Sequence, residues 1–316
     1  MIQLIYNRKN VMKAIIVKEF GGPDSMSFQE IEDLKDIPGH TLIDVKEIGI
    51  NFADTHQIKN TYLMPSKLPF IPGAEAAGFD KDKKRVIGIS PMGSYATKAN
   101  LWKNLTLEIP DTLSFSQALH VFIQGASAWH LVNTMGNIKN GEKVLIYSGG
   151  SGVGSIAIQL AKMLNAEVYS TSTKDSVVEI FKKMGIKTDI RGKKFDVILN
   201  MSGSDIGKDL SLLKNFGRLV IYGMADENFS NYPINLVDPK ILMSGSKTVS
   251  GFWLHNCFEE PSKFIDIVKS LFVLVEDGLL NTYTDFKYPL KDATKAHYDI
   301  LSRKTYGKVI LDCSID

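Results

Sequence analysis

The sequence predicts an α/β protein with two domains, one built on a doubly wound parallel sheet and the other rich in β-strands. A chain of 316 residues is longer than one small hydrophobic core usually serves. The apolar run Lys143–Tyr147 predicts a strand buried on both faces, followed by a turn of small residues, a buried helix and a second strand at 166–171. Further short apolar strands then alternate with helices, which is typical of a parallel sheet covered by helices.

The composition is that of an ordinary globular protein and excludes several classes of function. Hydrophobic residues make up 44% of the chain and charged residues 23%. The 37 basic and 35 acidic residues leave a net charge of +2, too small to indicate nucleic acid or a membrane surface as the main partner. The N-terminus has no signal-peptide core, and two cysteines make neither a disulfide framework nor a four-cysteine zinc site. We therefore expect a cytoplasmic protein that acts on a small molecule.

The first region is predicted to be compact and β-rich. Apolar and alternating runs predict strands at residues 12–17, 41–49, 85–89, 94–98 and 105–110. In the segment LPFIPGAEAAG, two prolines and two glycines surround a single acid, Glu75. A salt-bridged structural carboxylate is the favoured interpretation of Glu75, and a catalytic role is the alternative.

The second region continues the alternation of strands and helices. Strands are predicted at 195–200, 218–223 and 247–254, with helices at 175–184, 208–213 and 261–276. The last strand, residues 308–312, is predicted to return to the first domain, which makes that domain discontinuous. Doubly wound sheets bind ligands across the carboxyl ends of their strands, so the cleft between the two domains is the expected site.

The turn at residues 148–154 has only small side chains, which lets main-chain N–H groups approach an anion at the positive end of the following helix. Between a strand and a helix, such a turn predicts the pyrophosphate site of a dinucleotide. Tight packing of strand against helix is the alternative explanation of its glycines. The predicted cofactor-binding residues of the turn are Ser148, Gly150, Ser151, Gly152, Val153 and Gly154.

Four segments carry a resemblance to a known family: INFADTHQIKNTY with LPFIPGAEAAG, NGEKVLIYSGGSGVGSIAIQLAKMLNAEV, DLSLLKNFGRLVIYG and YPLKDATKAHYDILSRKTYGKVILD. In these segments the chain resembles the medium-chain dehydrogenase/reductase superfamily, and within it the zinc-independent quinone oxidoreductase group that includes the zeta-crystallins. The resemblance implies a GroES-like catalytic domain, residues 12–122 and 285–316, that encloses a Rossmann domain, residues 123–284.

The resemblance also implies a site without metal. Zinc-dependent relatives place a ligand cysteine where this chain has Asn51 and a ligand histidine where it has Ala74, and neither side chain replaces such a ligand. The histidines at 56, 120, 130, 255 and 297 show no paired metal spacing, so we interpret them as core or solvated residues. We expect no zinc.

NADPH is the expected cofactor, with NADH less favoured. The resemblance implies a nicotinamide dinucleotide, and NAD-binding domains usually carry an acid at the end of the second strand to hold the ribose 2′-OH. Here no acid stands at that end. A 2′-phosphate can instead take hydroxyls from Ser172 and Thr173 and positive charge from Lys174, with Arg191 as a second cation.

Two departures from the family pattern bear on the cofactor site. Ser148 and Ser151 replace an alanine and a glycine of the turn, so the backbone at Ser151 must suit a residue with a Cβ. Val177 stands where many relatives carry a lysine, so Lys174 must take its place for the phosphate to be selected.

The expected reaction is hydride transfer from the nicotinamide to a quinone, an enone or an enoyl thioester. The cofactor carries this chemistry and the protein positions it. The resemblance places Tyr62, Asn51 and His56 over the nicotinamide, with Tyr62 as the first candidate for proton donor or polariser of the acceptor carbonyl. A tyrosine that packs the cleft wall and touches only the cofactor is the alternative.

Six further residues are placed near the nicotinamide by the resemblance: Ser127, Tyr222, Gly223, Phe252, Trp253 and Leu254. Core packing is the alternative for the aromatic pair. Their strand could also support the edge-to-edge pairing of a homodimer, which we expect. Two alternative functions remain open, a 2-enoyl-thioester reductase of the same superfamily and a noncatalytic NADPH-binding protein.

Overall fold

A computed structural model describes residues 11–172, 174–225 and 237–315 of the chain. These residues form two compact units. The first contains residues 11–122 together with 283–315, and the second contains the residues described between 123 and 282. One sheet is entirely parallel and the others are largely antiparallel, which confirms the predicted α/β fold class.

Strands supply the framework of both units. In chain order they are β1 (Val11–Val17), β2 (Met26–Glu32), β3 (His40–Ile50), β4 (Glu75–Asp80), β5 (Arg85–Ile89), β6 (Lys98–Trp102), β7 (Thr106–Glu108), β8 (Lys143–Tyr147), β9 (Glu167–Thr171), β10 (Phe195–Asn200), β11 (Leu213–Ile221), β12 (Thr248–Gly251), β13 (Phe286–Pro289) and β14 (Val309–Asp312).

Helices connect the strands. They are α1 (Phe52–Gln57), α2 (Phe115–Leu119), α3 (Ala126–His130), α4 (Gly152–Met163), α5 (Asp175–Lys183), α6 (Ile206–Leu212), α7 (Pro239–Gly245), α8 (Pro261–Glu276) and α9 (Ala293–Leu301). Two π-helical stretches, His120–Gly125 and Leu131–Met135, flank α3. None of the helices in the described part of the chain combines the length and the apolar composition that a membrane crossing requires.

The first unit is built on a seven-stranded sheet in the order β13-β14-β3-β4-β5-β7, in which β6 also pairs with β3, and on a two-stranded sheet of β1 and β2. Strand β14 runs antiparallel to β3, with Val309 opposite Ile50, which confirms that the final strand joins the N-terminal region. Strand β4 borders β3 on its other side, with Glu75 opposite Gly49. The neighbouring ends of β14, β3 and β4 therefore meet at one place in the sheet.

The second unit contains a five-stranded sheet in the order β12-β11-β10-β8-β9, and every pair in it is parallel. The central residues of β8, Val144, Leu145 and Ile146, are completely buried, as expected for a parallel sheet covered on both faces. Because parallel strands end at the same edge, the residues that follow β8 to β12 lie along one edge of this sheet.

Candidate active site

The turn between β8 and α4 approaches its surroundings so closely that side chains are excluded from it. A Cβ on Gly149 would overlap the Ser170 hydroxyl, and one on Gly154 would overlap the Ser148 carbonyl oxygen. A Cβ on Gly150 would lie 2.9 Å from Cγ1 of Val177. The turn thus presents bare backbone at the N-terminus of a twelve-residue helix, where N–H groups without intrahelical partners and the helix dipole favour an anion.

The two serines of the turn have different backbone conformations. Ser151 is extended, with φ −73° and ψ 168°, and its hydroxyl accepts a 3.1 Å hydrogen bond from the Gly154 N–H as the N-cap of α4. The expectation that the backbone at Ser151 suits a Cβ is therefore confirmed. Ser148 instead has φ +53°, a left-handed conformation that favours glycine. The strain of the turn thus lies at Ser148.

Ser170 in β9 is hydrogen-bonded to the turn, a role that was not predicted from the sequence. Its fully buried hydroxyl donates to the Ile146 carbonyl at 2.6 Å and accepts from the Gly149 N–H at 3.1 Å. One side chain therefore joins β8, β9 and the turn. The signal was present, because a hydroxyl inside an otherwise buried strand needs hydrogen-bond partners nearby.

The end of β9 has the composition that the NADPH prediction requires in the residues described there. The Ser172 hydroxyl accepts a 3.1 Å hydrogen bond from the Lys174 N–H, and Lys174 is the N-cap residue of α5. Thr173, also predicted to contact the phosphate, lies outside the described residues. Val177 is buried and packs on the glycine turn, so it is a core residue here.

Arg191 is held within its own turn. Its guanidinium donates to both carboxylate oxygens of Asp189, at 2.9 Å each, in the exposed connection between α5 and β10. The guanidinium lowers the pKa of the Asp189 carboxyl and the carboxylate raises that of Arg191. Arg191 is thus already paired with a carboxylate, and its role as a second cation stays a prediction.

The carboxyl ends of β10 and β11 are shaped by close contacts. A Cβ on Gly223 would overlap the Met201 carbonyl oxygen. The Tyr222 hydroxyl is buried and makes no hydrogen bond within the described part of the chain, and burial raises the pKa of Tyr222. A buried phenol without a partner is a group that a ligand can satisfy.

Asn200, at the end of β10, was not predicted as a site residue. Its amide donates to the Ser204 carbonyl at 2.9 Å and to the buried Asp209 carboxylate at 2.6 Å, and its oxygen accepts from the N–H groups of Ser202 and Gly203. These bonds fix the loop after β10 at the carboxyl edge of the parallel sheet. A polar residue that ends a buried strand, as in FDVILN, was the available signal.

The other predicted cofactor contacts lie on α3, on α4 and after β12. The Ser127 hydroxyl donates to the Ile123 carbonyl at 2.8 Å. Val153 is half-buried in the first turn of α4. Phe252 stacks on His130 with a centroid distance of 5.5 Å, Trp253 stacks on His255 at 4.7 Å, and Leu254 is buried.

In the first unit, Asn51 lies between two buried charges of opposite sign. Its Nδ2 donates to Glu75 Oε1 at 2.9 Å, its Oδ1 accepts from Lys308 Nζ at 2.9 Å, and Lys308 forms an ion pair with Glu75. The Glu75 and Lys308 side chains are completely inaccessible to solvent. The salt bridge predicted for Glu75 is therefore present, while the choice between a structural and a catalytic role stays a prediction.

A second buried chain of hydrogen bonds adjoins Asn51. The Asp54 carboxylate accepts from the Asn51 N–H and from the Tyr95 hydroxyl, at 2.9 Å each, and the Tyr95 hydroxyl lies 2.9 Å from Nε2 of His297. Burial raises the pKa of Asp54 from 3.8 to about 6 and lowers that of His297 from 6.5 to about 3. At neutral pH the fold therefore holds His297 uncharged.

His56 and Tyr62 follow Asn51 along the chain. The His56 Nδ1 lies 2.8 Å from the Thr61 hydroxyl, and its ring meets Phe52 edge-on at 5.5 Å. The Thr61 N–H donates to the His56 carbonyl at 3.0 Å, so the loop that carries the half-buried Tyr62 is tied back onto α1. The structure brings His56 and the start of this loop together, while the roles of Tyr62, Asn51 and His56 stay predictions.

Comparison with known proteins identifies the family. A quinone oxidoreductase of Sus scrofa is 30% identical over 334 aligned positions, covering 96% of this chain and 98% of that protein. The chain belongs to the quinone oxidoreductase group of the medium-chain dehydrogenase/reductase superfamily. Two solved structures of this group are similar over 95% of the chain and 99% of their own. A mycobacterial protein in complex with NADPH has a TM-score of 0.87, and the Escherichia coli quinone oxidoreductase in complex with NADPH has one of 0.81, each at 27% identity.

A family model described as zinc-binding dehydrogenase matches residues 165–311 of this chain. The residues present do not fit a zinc ion at the position implied by the resemblance, because the Lys308 ammonium is bonded to both Asn51 and Glu75 there. Within the described ranges, no group of three or more His, Cys, Asp or Glu side chains is placed to hold a metal.

Proposed function

We propose that this protein is an NADPH-dependent oxidoreductase that transfers hydride to a quinone or another electron-poor alkene or carbonyl acceptor. The observation that carries the proposal is the turn at the N-terminus of α4, which has no space for side chains. Its exposed backbone N–H groups form the kind of cradle that binds a dinucleotide diphosphate. Relatives that cover nearly the whole chain carry the name quinone oxidoreductase, and two of the similar structures contain NADPH.

The choice of NADPH over NADH rests on the end of β9. Ser172 and Lys174 offer a hydroxyl and a cation to a 2′-phosphate, and Thr173 adds a second hydroxyl in sequence. No carboxylate stands among these residues to repel the phosphate or to hold a free 2′-OH. We expect Lys174→Ala to weaken NADPH binding by about tenfold and to leave NADH binding unchanged, as measured by titration calorimetry.

On the acceptor side, bound NADPH supplies the hydride, and the protein must stabilise the charge that develops on the acceptor oxygen. His56 and Tyr62 are the groups that we assign to this role. Tyr62 donates the proton or polarises the carbonyl, and Tyr62→Phe lowers kcat at saturating NADPH. A loss of less than about threefold would exclude the acid role of Tyr62.

The proposal is tested by following NADPH consumption with a quinone, an enone and crotonyl thioester as acceptors. We expect turnover with the quinone or the enone, and loss of NADPH binding in Gly154→Ala, in which the added methyl overlaps the Ser148 carbonyl oxygen. Gly207→Ala is the matched control, because the Cβ that it adds on helix α6 has no atom within 4 Å apart from its chain neighbours and the backbone of its own helix. Preferred turnover of the thioester would favour the enoyl-thioester reductase, and tight NADPH binding without turnover of any acceptor would favour a noncatalytic binding protein.

A cytoplasmic homodimer is the proposed form of the enzyme. Strand β12 lies at the edge of the parallel sheet in the described residues and offers its free side for pairing with a second copy. Sedimentation at micromolar concentration is expected to give the mass of a dimer. A monomer under those conditions would contradict this part of the proposal.

A further inference from the structure

The ion pair of Lys308 and Glu75 is the most deeply buried charged feature of the first unit, and the reaction proposed above gives neither residue a task. Both side chains have no exposed surface. Burying two charges costs several kcal/mol per ion before their attraction is counted, so an apolar pair of similar size would often stabilise the fold as well or better. This ion pair is therefore better explained by what it orients than by stability alone.

The backbone is built to bring the two charges together. Lys308 directly precedes β14, Asn51 directly follows β3, and Glu75 begins β4, which are neighbouring strands of one sheet. Gly49 leaves room for the Lys308 and Glu75 side chains to meet, because a Cβ at this position would lie 2.5 Å from Lys308 Cε and 2.7 Å from Glu75 Oε1. Any larger residue at 49 would push the two side chains apart.

The ion pair leaves the Asn51 amide one orientation. Its oxygen must face the ammonium and its NH₂ group must face the carboxylate, since the reversed amide would place donor against donor and acceptor against acceptor. The NH₂ group also donates to the Gly49 carbonyl, with 3.5 Å between Nδ2 and the carbonyl oxygen. The amide is thus used within the protein and has no hydrogen left to donate to an acceptor carbonyl.

Asn51 is also the N-cap residue of α1, a helix of only six residues. Helices this short do not persist on their own, so tertiary contacts set the position of α1. The Asn51 N–H is bonded to Asp54 Oδ2, which Tyr95 holds from the other side, so the helix start is clamped by buried groups. His56 lies in the last turn of this helix and Tyr62 in the loop after it.

We propose that Lys308 and Glu75 are positioning residues, which fix the Asn51 amide and the start of α1 and thereby hold His56 and Tyr62 for the acceptor. The inference rests on the proposed hydride transfer for its kinetic consequence. It also reassigns Asn51 from a direct donor to part of this support.

The test compares three variants. Lys308→Met removes the ammonium and keeps the length of the side chain, and Lys308→Met with Glu75→Met replaces the whole pair by apolar side chains. Lys84→Met is the matched control, because it breaks an exposed lysine–glutamate pair of the same unit. Melting, NADPH affinity, kcat and the acceptor KM are measured for each.

We expect the single variant to lower kcat by about tenfold to a hundredfold, because small displacements of reacting groups have effects of that size. NADPH affinity stays within about twofold of wild type, since the cofactor residues belong to the second unit. The double variant leaves no unpaired buried charge and therefore melts at a higher temperature than the single variant, yet its kcat stays low. A double variant that folds and turns over like the wild type would overturn the proposal, because the ion pair would then serve stability alone.

Two further measurements keep the inference testable if the single variant folds poorly or the wild type shows no turnover. In Lys308→Ala, ethylammonium in solution is expected to fill the space of the lost ammonium and to restore kcat, which sodium at equal ionic strength does not. The imidazole NMR signals of His56 report its hydrogen bond to Thr61 without any reaction. They are expected to move in the double variant and not in Lys84→Met, and unchanged His56 signals in the double variant would contradict a positioning role even in an inactive protein.

Discussion

At the scale of residues, the most informative groups are buried and polar. Asn51, Asp54, Glu75 and Lys308 lie close together in a small volume at the start of α1. The apolar residues around Glu75 predicted that this acid is buried and salt-bridged, but the sequence did not identify its partner. Lys308 is 233 positions away and sits in an ordinary-looking TYGKVIL segment, so only the pairing of β14 with β3 shows that its charge is buried.

Asp54 predicts a specific dependence of stability on pH. Its pKa is raised from 3.8 to about 6 mainly by burial, so the folded state favours the protonated form. The stabilising contribution is complete below pH 3.8 and is lost as the pH rises through about 6. Acidification from about pH 7 to about pH 5 should therefore add about 1 kcal/mol to the free energy of unfolding through this group.

The measurement is urea unfolding of the wild type and Asp54→Asn at both pH values. His297 opposes Asp54, because its lowered pKa makes it lose stability as the pH falls below 6.5, but it is common to both proteins. The variant should lack the gain of about 1 kcal/mol. Equal pH dependence in the two proteins would show that Asp54 titrates at its ordinary value.

Phe216 gives a second prediction at this scale. Its side chain is 74% exposed and its φ is +62°, so it adopts a left-handed conformation without the benefit of burial. Phe216→Gly should raise the free energy of unfolding by about 0.5–1 kcal/mol. Phe28→Gly, in the extended strand β2, serves as the control and should lower it. Destabilisation of both variants to the same degree would contradict the assignment of strain to Phe216.

At the scale of elements, the β8–turn–α4–β9 segment was predictable because its signals are local. An apolar strand, a run of small residues and a helix with a buried face occur in succession. The sequence pattern that predicts each of them lies within a few residues. The strain at Ser148 was not predictable from the family pattern, which pointed to Ser151. The conformation of each serine depends on how the turn packs on β9 and α5.

The Ser170 hydroxyl links β8, β9 and the turn by hydrogen bonds, so replacing it tests the stability of the whole segment. Ser170→Ala leaves the Gly149 N–H without its acceptor and should reduce the free energy of unfolding by about 1–3 kcal/mol. It should also weaken NADPH binding, because the turn loses its support. Ser302→Ala, which removes an exposed hydroxyl at the C-cap of α9 that donates to the Tyr298 carbonyl, is the control. Unchanged NADPH affinity in Ser170→Ala would show that the turn holds its shape without this hydroxyl.

At the scale of the whole molecule, the alternation of strands and helices was sufficient to predict a parallel sheet. The prediction that the C-terminal strand joins the N-terminal region is confirmed by the pairing of β14 with β3. Long-range partnerships could not be predicted in the same way. The bonds of Asn200 to Asp209 and of Tyr95 to His297 depend on packing that no periodicity encodes. The predicted site residues of the second unit follow from the edge at which parallel strands end, whereas the surroundings of Asn51 in the first unit depend on buried contacts between distant segments.

The central claim is that the protein moves a hydride from NADPH to an electron-poor acceptor. The most direct measurement uses NADPH deuterated at the transferable position of the nicotinamide, an enone as acceptor, and mass spectrometry and NMR of the product. The account predicts one deuterium on the β-carbon of the reduced enone, and none when Gly154→Ala replaces the wild type. Reduced product without deuterium, or no reduction of either the enone or a quinone while NADPH stays bound, would contradict it.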